Sequence, residues 1–552
     1  MTQKVIIVGG VAGGATAAAR LRRISEDVEI ILVERGENIS FANCGLPYYI
    51  GETIKDRSKL LVQTVNGMSE RFNLDIRNLS EVMSIGPENK TVSIKNLQTE
   101  EVYEESYDKL LLSPGARPIV PPIPGLNESQ SLFTLRNIPD TDKIKSYVDT
   151  KSPEKAVIIG GGFIGIEMAE NLAERGIEVT IIEMANQIMA PIDYEMASIL
   201  HKHLKEKGVK LLLENGVQSF ADQGKKIILS DGAEIETDMT ILSIGVRPEN
   251  ELAKTAGLEL GERGGIIVNE YLQTSNEDIF AVGDAVEVVD YISGTKAMIP
   301  LAGPANRQGR IAANNIMGKK EKYQGTMGTS IAKVFNLTVA ATGNNEKTLK
   351  RLGVKNEVVH IHPSSHAGYY PGAAPIALKL IFDKETGKIF GAQAVGSDGV
   401  DKRIDVIATA IKGGLTIEDL TNLELSYAPP YSSAKDPVNM AGYVATNIME
   451  GELEHVQWHE VDQIVAEGGL LIDVREAKER ESGFIEGSIN ISLNQLRNQL
   501  DELPKDQTIY VSCQVGLRGY LASRILKNNG YHVKNVDGGW KTYSSVYGSN
   551  IN

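Results

Sequence analysis

The sequence predicts an α/β chain built from repeated strand, turn and helix units, with a smaller α/β module at its C-terminal end. Three observations carry that expectation. An apolar run, a glycine cluster and a helical stretch follow one another at residues 5–23 and again at 156–175. Each set leads into a second apolar run that ends on a carboxylate, Glu34 in the first and Glu183 in the second. After Gly451 the pattern restarts, and the runs 470–475 and 508–512 bring in Cys513, one of only two cysteines.

At 552 residues the chain has length for three or four domains of ~150 residues each. With 72 acidic against 57 basic side chains the net charge is -15, so nucleic acid is not an expected partner, and any anionic ligand needs a local basic cluster. Two cysteines cannot build a disulfide framework, and this frugality fits a reducing cytoplasm. The apolar run 5–8 is too short for a signal peptide or a membrane span, so no membrane association is expected.

In the first unit, residues 5–8 read as a buried parallel strand and 15–23 as a helix, joined by Gly9-Gly10-Val11-Ala12-Gly13-Gly14. Such a turn lets backbone N–H groups approach a pyrophosphate at the positive end of a helix. Gly9 and Gly14 bound it, and Val11 stands where the G-x-G-x-x-G pattern has its middle glycine. Glu34 closes the strand 29–33 about 20 residues past Gly14, where a carboxylate can hold ribose hydroxyls. The second unit carries the full pattern, Gly160, Gly162 and Gly165 with Phe163 between the last two, after the strand 156–159. Glu183 ends the strand 178–182 with no arginine close behind, which favours NADH while leaving NADPH open. Two such units imply two Rossmann-like domains, with FAD on the first and a nicotinamide dinucleotide on the second.

Just past the first unit comes Ser40-Phe-Ala-Asn-Cys-Gly-Leu-Pro-Tyr48, which holds the other cysteine, Cys44. A thiol acts as a redox nucleophile only as thiolate. Ser40 and Asn43 can donate hydrogen bonds, and Gly45 with Pro47 implies a sharp turn around the sulfur. A buried structural cysteine is the competing reading of an isolated Cys. Further on, the runs 110–115, 239–245 and 274–284 add strands that end in glycine, the last delivering Asp284.

These motifs, in this order, resemble those of the pyridine nucleotide-disulfide oxidoreductases over residues 1 to about 450, and the 40–48 stretch is most similar to the coenzyme A-disulfide reductases among them. The resemblance implies an FAD-binding domain at 1–150 and 246–324, an NAD(P)H-binding domain at 151–245, and an α+β dimerisation domain at 325–450 working in a homodimer. It makes Asp284 a ligand of the flavin ribityl chain and Phe163 a cover over the flavin that swings aside for NADH. The larger branch uses a C-x-x-x-x-C pair, but here no cysteine follows Cys44 until Cys513. Cys44 is therefore expected to act alone, through a mixed disulfide, a persulfide or a sulfenic acid. Thr16, Arg20 and Arg23 are spaced to share one helix face. By resemblance this face meets the coenzyme A phosphates, which the arginine fork suits. Arg71, Asn306 and Lys435 are further implied substrate contacts, beside Ser40 and Asn43. Tyr369 and Tyr427 are implied to reach Cys44 of the partner subunit and to protonate or position the departing coenzyme A thiolate. Related NADH peroxidases and oxidases carry a histidine in the first glycine loop, where this chain has Ala12, which argues against peroxide as substrate.

Residues 451–460 read as a linker and 461–552 as the C-terminal module. One of its strands ends in Asp473-Val-Arg475, and another delivers Cys513 to the loop Cys513-Gln-Val-Gly-Leu-Arg518 at the start of a helix. Inward N–H groups, the helix N-terminus and the Arg518 charge would stabilise a thiolate or persulfide there. These marks resemble a single-domain rhodanese, a fold that passes sulfane sulfur through a cysteine persulfide. The expected activity is NAD(P)H-driven reduction of coenzyme A disulfide, or of coenzyme A persulfide or polysulfide, with the fused module handling sulfane sulfur. An NADH oxidase or peroxidase, or a flavoprotein redox sensor with a binding-only module, are the alternatives. Coenzyme A is then substrate or ligand, and no metal is expected.

Overall fold

The structure is a computed structural model that describes residues 3–548; the terminal residues 1–2 and 549–552 of the expected first and last domains lie outside the described residues. The chain divides into two units, Met1–Ile188 with Gly208–Gly328 and Met189–Lys207 with Thr329–Asn552.

In the first unit, β1 (Lys4–Val8), α1 (Ala12–Ile24) and β2 (Glu29–Val33) form one repeat, and β3 (Lys155–Ile159), α2 (Phe163–Glu174) and β4 (Glu178–Ile182) form the other. Val5, Ile6 and Ile7 are fully buried, as expected of a parallel strand covered on both faces. Among the described residues one parallel sheet runs Ile279–Ala281, Lys109–Leu112, β1, β2, Asp75–Arg77, and a second runs Leu132–Phe133, Met239–Leu242, β3, β4, Lys210–Leu212. The same topology is drawn twice. Each glycine turn therefore leaves the carboxyl end of the central strand, the place where open parallel sheets bind ligands.

α1 starts three residues earlier than the sequence implied, so Gly13 and Gly14 are helical despite their poor propensity. Packing overrides propensity there. The helix Ala302–Ile316 approaches α1 so closely that a Cβ on Gly309 would lie 2.3 Å from the Gly13 carbonyl oxygen.

The second unit holds α3 (Tyr194–Glu206) and an antiparallel sheet ordered Ser330–Val334, Leu337–Gly343, Ile389–Gly396, Ile376–Phe382 and β5 (Glu357–Ile361). It also holds a parallel sheet centred on β6 (Ile509–Ser512), which feeds α4 (Leu517–Asn528) and then β7 (Val533–Val536). That sheet runs His455–Val456, β7, β6, Leu470–Asp473, Ile489–Asn490. The segment 451–460 is thus not a free linker, since His455 and Val456 pair in parallel with Asn535 and Val536 as the edge of the sheet. A two-residue strand leaves no hydrophobic period in a sequence, which is why it reads as a connection. Among the described residues no helix is long and apolar enough to cross a membrane.

Candidate active site

The first glycine turn is fixed by close backbone approaches. Gly9 has φ +98°, and a Cβ there would lie 2.1 Å from the Ser113 carbonyl oxygen; on Gly14 it would lie 1.9 Å from the Gly9 carbonyl oxygen. Because the turn is this tight, Glu34 reaches back across it. The Gly10 N–H donates to Glu34 Oε2 at 2.8 Å and the Gly36 N–H to Oε1 at 2.7 Å. The turn, Glu34, Asn43, Arg136 and Asp284 border a cavity of about 330 Å³. Asp284 stands in the short turn Gly283–Ala285, where burial holds its carboxyl above the usual range against the pull of Arg136.

The second turn repeats this construction. Gly160 has φ +105° and its Cβ would lie 2.4 Å from the Ser243 carbonyl oxygen, while a Cβ on Gly165 would lie 2.0 Å from the Gly160 carbonyl oxygen. Glu183 accepts from the Gly161 N–H at 2.8 Å and the Ala185 N–H at 2.9 Å. A Cβ on Gly162 would meet nothing within 4 Å, so this turn borders open space. Phe163, half-buried, opens α2. A carboxylate at this strand end is expected to accept from ribose hydroxyls and to repel a 2′-phosphate. NADH is therefore expected to exceed NADPH in kcat/KM by at least ~10-fold, a ratio that steady-state assays measure directly.

Cys44 lies exposed in the turn Asn43–Gly45, immediately before the short helix Leu46–Ile50. Crowding by protein atoms pushes its thiol upward, and the carboxylates of Glu167 and Asp284 add to the effect. Among the described residues, Ser40 and Asn43 send no side-chain hydrogen bond to the sulfur. Ser40 instead adopts φ 44° and donates its backbone N–H to the Gly10 carbonyl at 2.8 Å, tying the cysteine turn to the first glycine turn. Glu167 was not singled out from the sequence. Its signal was available, because it falls four residues after Phe163 and so on the same face of α2. Burial, with Glu170 beside it, pushes the Glu167 carboxyl up to about 7, and burial followed by Glu167 raises the Tyr48 phenol to about 12. Removing the carboxylate in Glu167→Gln is expected to lower the Cys44 thiol pKa, read from the pH dependence of its alkylation in a Cys513→Ser background.

The implied substrate face of α1 packs on the helix Ala302–Ile316. Thr16 Oγ1 donates to Asn306 Oδ1 at 2.6 Å and Arg20 Nε to Asn314 Oδ1 at 2.8 Å, while the exposed Arg23 donates to the Ala19 carbonyl at 2.9 Å. Arg71 is exposed in the last turn of the helix Val65–Phe72. The buried arginine of α1 is Arg22, which donates to backbone carbonyls, those of Phe72 and Asn73 among them, and so fastens the helix end. In the second unit the Tyr369 and Tyr427 hydroxyls are 2.7 Å apart, with the residues 77% and 47% exposed. Lys435 is exposed and precedes Asp436, the N-cap of the helix Pro437–Met449.

Cys513 directly follows β6 and is buried. The Gly516 N–H donates to its Sγ at 3.1 Å, at a φ of +99° that favours glycine. Arg518 acts electrostatically with Cys513 but is not a lone charge beside it. Both of its Nη atoms donate to the Glu479 carboxylate, at 2.6 Å each, and this pairing holds Glu479 down to about 2. The nearby Arg475 pairs with Asp473 at 2.8 Å and donates to Gln514 Oε1 at 3.2 Å, bracing the loop.

A family model for pyridine nucleotide-disulphide oxidoreductases matches residues 3–309. The chain belongs to the pyridine nucleotide-disulphide oxidoreductases. The dimerisation domain of this family matches residues 329–437, and a rhodanese-like domain matches 457–545. The coenzyme A disulfide reductase of Staphylococcus haemolyticus is 36% identical over 451 residues, spanning 81% of this chain and 100% of that protein. The crystal structure of reduced Bacillus anthracis CoADR-RHD is 63% identical over 99% of this chain and 98% of its own, with a TM-score of 0.98. A NAD-dependent persulfide reductase from A. fulgidus is 39% identical over 98% of this chain and 100% of its own, with a TM-score of 0.92. As a member of the family the chain is an oxidoreductase working with FAD and NAD(H). Its two glycine turns fit these cofactors, each pairing N–H groups at a helix start with a carboxylate at the next strand end.

Proposed function

We propose that this chain uses NADH, by way of FAD, to reduce coenzyme A disulfide and coenzyme A persulfide or polysulfide at Cys44, while its rhodanese domain handles sulfane sulfur at Cys513. One observation carries the reading. Cys44 is exposed and free, and the sequence gives it no second cysteine until Cys513, so its sulfur chemistry joins it to an outside thiol. The likeness to a coenzyme A disulfide reductase and a persulfide reductase supports coenzyme A compounds as that outside partner.

The Cys44 thiolate attacks one sulfur of the substrate, the S–S bond breaks, and its electron pair goes to the departing coenzyme A sulfur, which takes up a proton. Cys44 keeps the other half, as a mixed disulfide from coenzyme A disulfide or as a cysteine persulfide from coenzyme A persulfide. The first glycine turn, Glu34 and Asp284 would hold FAD, which when bound would supply the two electrons that reopen this bond, restoring the Cys44 thiolate and releasing the retained half with a proton as a thiol or as hydrosulfide. Thr16, Arg20, Arg23 and Asn306 bind the coenzyme A, with Ser40, Asn43, Arg71 and Lys435 as further contacts. In a homodimer, which the match to the dimerisation domain supports, Tyr369 and Tyr427 stand beside Cys44 of the partner subunit. Their mutual hydrogen bond raises the Tyr369 phenol, keeping it a neutral donor for the departing thiolate. Two free cysteines support a reducing, cytoplasmic setting.

The test is anaerobic NADH oxidation with coenzyme A disulfide and with coenzyme A persulfide at matched concentrations. Turnover with release of two coenzyme A thiols per NADH is expected on the disulfide, and a faster rate on the persulfide would make sulfur metabolism the main task. An enzyme inert to both would overturn the reading.

A further inference from the structure

The back wall of the Cys513 loop is the segment that follows β7, and it is held from both sides. On one side the Trp540 N–H donates to the Cys513 carbonyl at 2.7 Å and the Lys541 N–H to the Gln514 carbonyl at 3.0 Å. Gly539 passes so close that a Cβ there would lie 2.3 Å from the Cys513 carbonyl oxygen. On the other side Asp537 accepts from His360 of β5, through the backbone N–H at 3.0 Å and the ring Nδ1 at 2.7 Å. A Cβ on Gly538 would lie 2.9 Å from the His360 Cβ, and His362 Nε2 meets Thr542 Oγ1 at 2.8 Å.

His360 is buried between two carboxylates, since its Nε2 also meets Glu195 Oε1 of α3 at 3.0 Å. With an acceptor at each nitrogen the ring is a double donor and carries a positive charge. Glu195 in turn pairs with Lys379, which is fully buried and also contacts Asp193 at 3.0 Å and Glu346. The remaining charged or titratable groups around the pair are His362 just past β5, His455 facing Asp537, Glu357 of β5 paired with His455, and Lys541 near His362. The chain of contacts thus runs from the antiparallel sheet, through one ion pair and two glycines, to the carbonyl of Cys513.

We propose that His360 and Asp537 are positioning residues for sulfur transfer, through which the dimerisation domain sets the geometry of the Cys513 loop. The proposal rests on Cys513 being the sulfur carrier. Fixing Asp537 fixes the path of Gly538 and Gly539, and with it the peptide units that aim the Gly516 N–H at the sulfur. Support of this kind keeps a reactive loop in register. The flanking carboxylates raise the His360 ring to about 9 against burial. Since this lies above its ordinary value of 6.5, the pair is complete at and below neutral pH and is lost as pH rises through about 9.

The test uses the full-length chain with His360→Gln and Asp537→Asn, each in parent and Cys44→Ser backgrounds. Expected in both backgrounds is a fall of ~10-fold or more in kcat for sulfur transfer from thiosulfate to cyanide with KM little changed, and in the parent background NADH-dependent disulfide reduction is retained. The pH profile of Cys513 alkylation should lose an inflection near pH ~9 in both variants. Parent-like kcat and alkylation profiles would overturn the proposal, as would a disulfide reductase rate that falls in step with sulfur transfer in both variants. If the parent itself transfers no sulfur, the rhodanese reading fails, whereas a shifted alkylation profile would still uphold the positioning.

Discussion

Cys44→Ser is expected to lower NADH-dependent reduction of coenzyme A disulfide by at least ~10³-fold, because a serine hydroxyl is a poor nucleophile and cannot store the substrate half as a disulfide. Bleaching of the flavin by NADH should survive the substitution, since the glycine turns that hold both dinucleotides are untouched. Cys513→Ser should show the opposite pattern, keeping disulfide reduction and losing sulfur transfer to cyanide. The two rates, measured on both variants, decide the division of labour. A Cys44→Ser enzyme that kept more than ~a tenth of its disulfide reductase activity would remove Cys44 from the reaction.

Gly14→Ala is expected to yield protein without bound flavin. The added Cβ would sit 1.9 Å from the Gly9 carbonyl oxygen, and backbone on backbone cannot yield as a flexible side chain can. Either α1 moves off β1 or the turn opens, and both separate the N–H groups from Glu34. Gly165→Ala, with its Cβ 2.0 Å from the Gly160 carbonyl oxygen, should keep the flavin but lose its reduction by NADH. Flavin content by absorbance and NADH titration of the purified variants separate the two outcomes. Flavin retained at parent stoichiometry in Gly14→Ala would contradict the assignment of the first turn.

Both glycine turns were legible because their glycines and carboxylates are close in sequence. Gly9 lies just past β1, Gly14 in the first turn of α1 and Glu34 just past β2, and the glycines and the carboxylate keep their spacing whatever the rest of the chain does. Cys44 and Cys513 stood out by scarcity, and the loop of Cys513 by its place between strand and helix. What stayed hidden was made by distant residues. The Arg518 charge could be read, but not the Glu479 carboxylate 39 residues away that pairs with it. Thr16 and Asn306 are 290 residues apart, and His360 and Asp537 are 177 apart, so no periodicity connects them. The early start of α1 was missed for a related reason, since glycine propensity argues against a helix that contact with Ala302–Ile316 imposes.

The two-residue strand His455–Val456 has a practical consequence for anyone dissecting the chain. A fragment beginning at residue 461 would leave the outer side of Val533–Val536 without a backbone partner, and an open sheet edge recruits other chains. Such a fragment should self-associate and precipitate, whereas one that begins before Gly451 keeps its own hem.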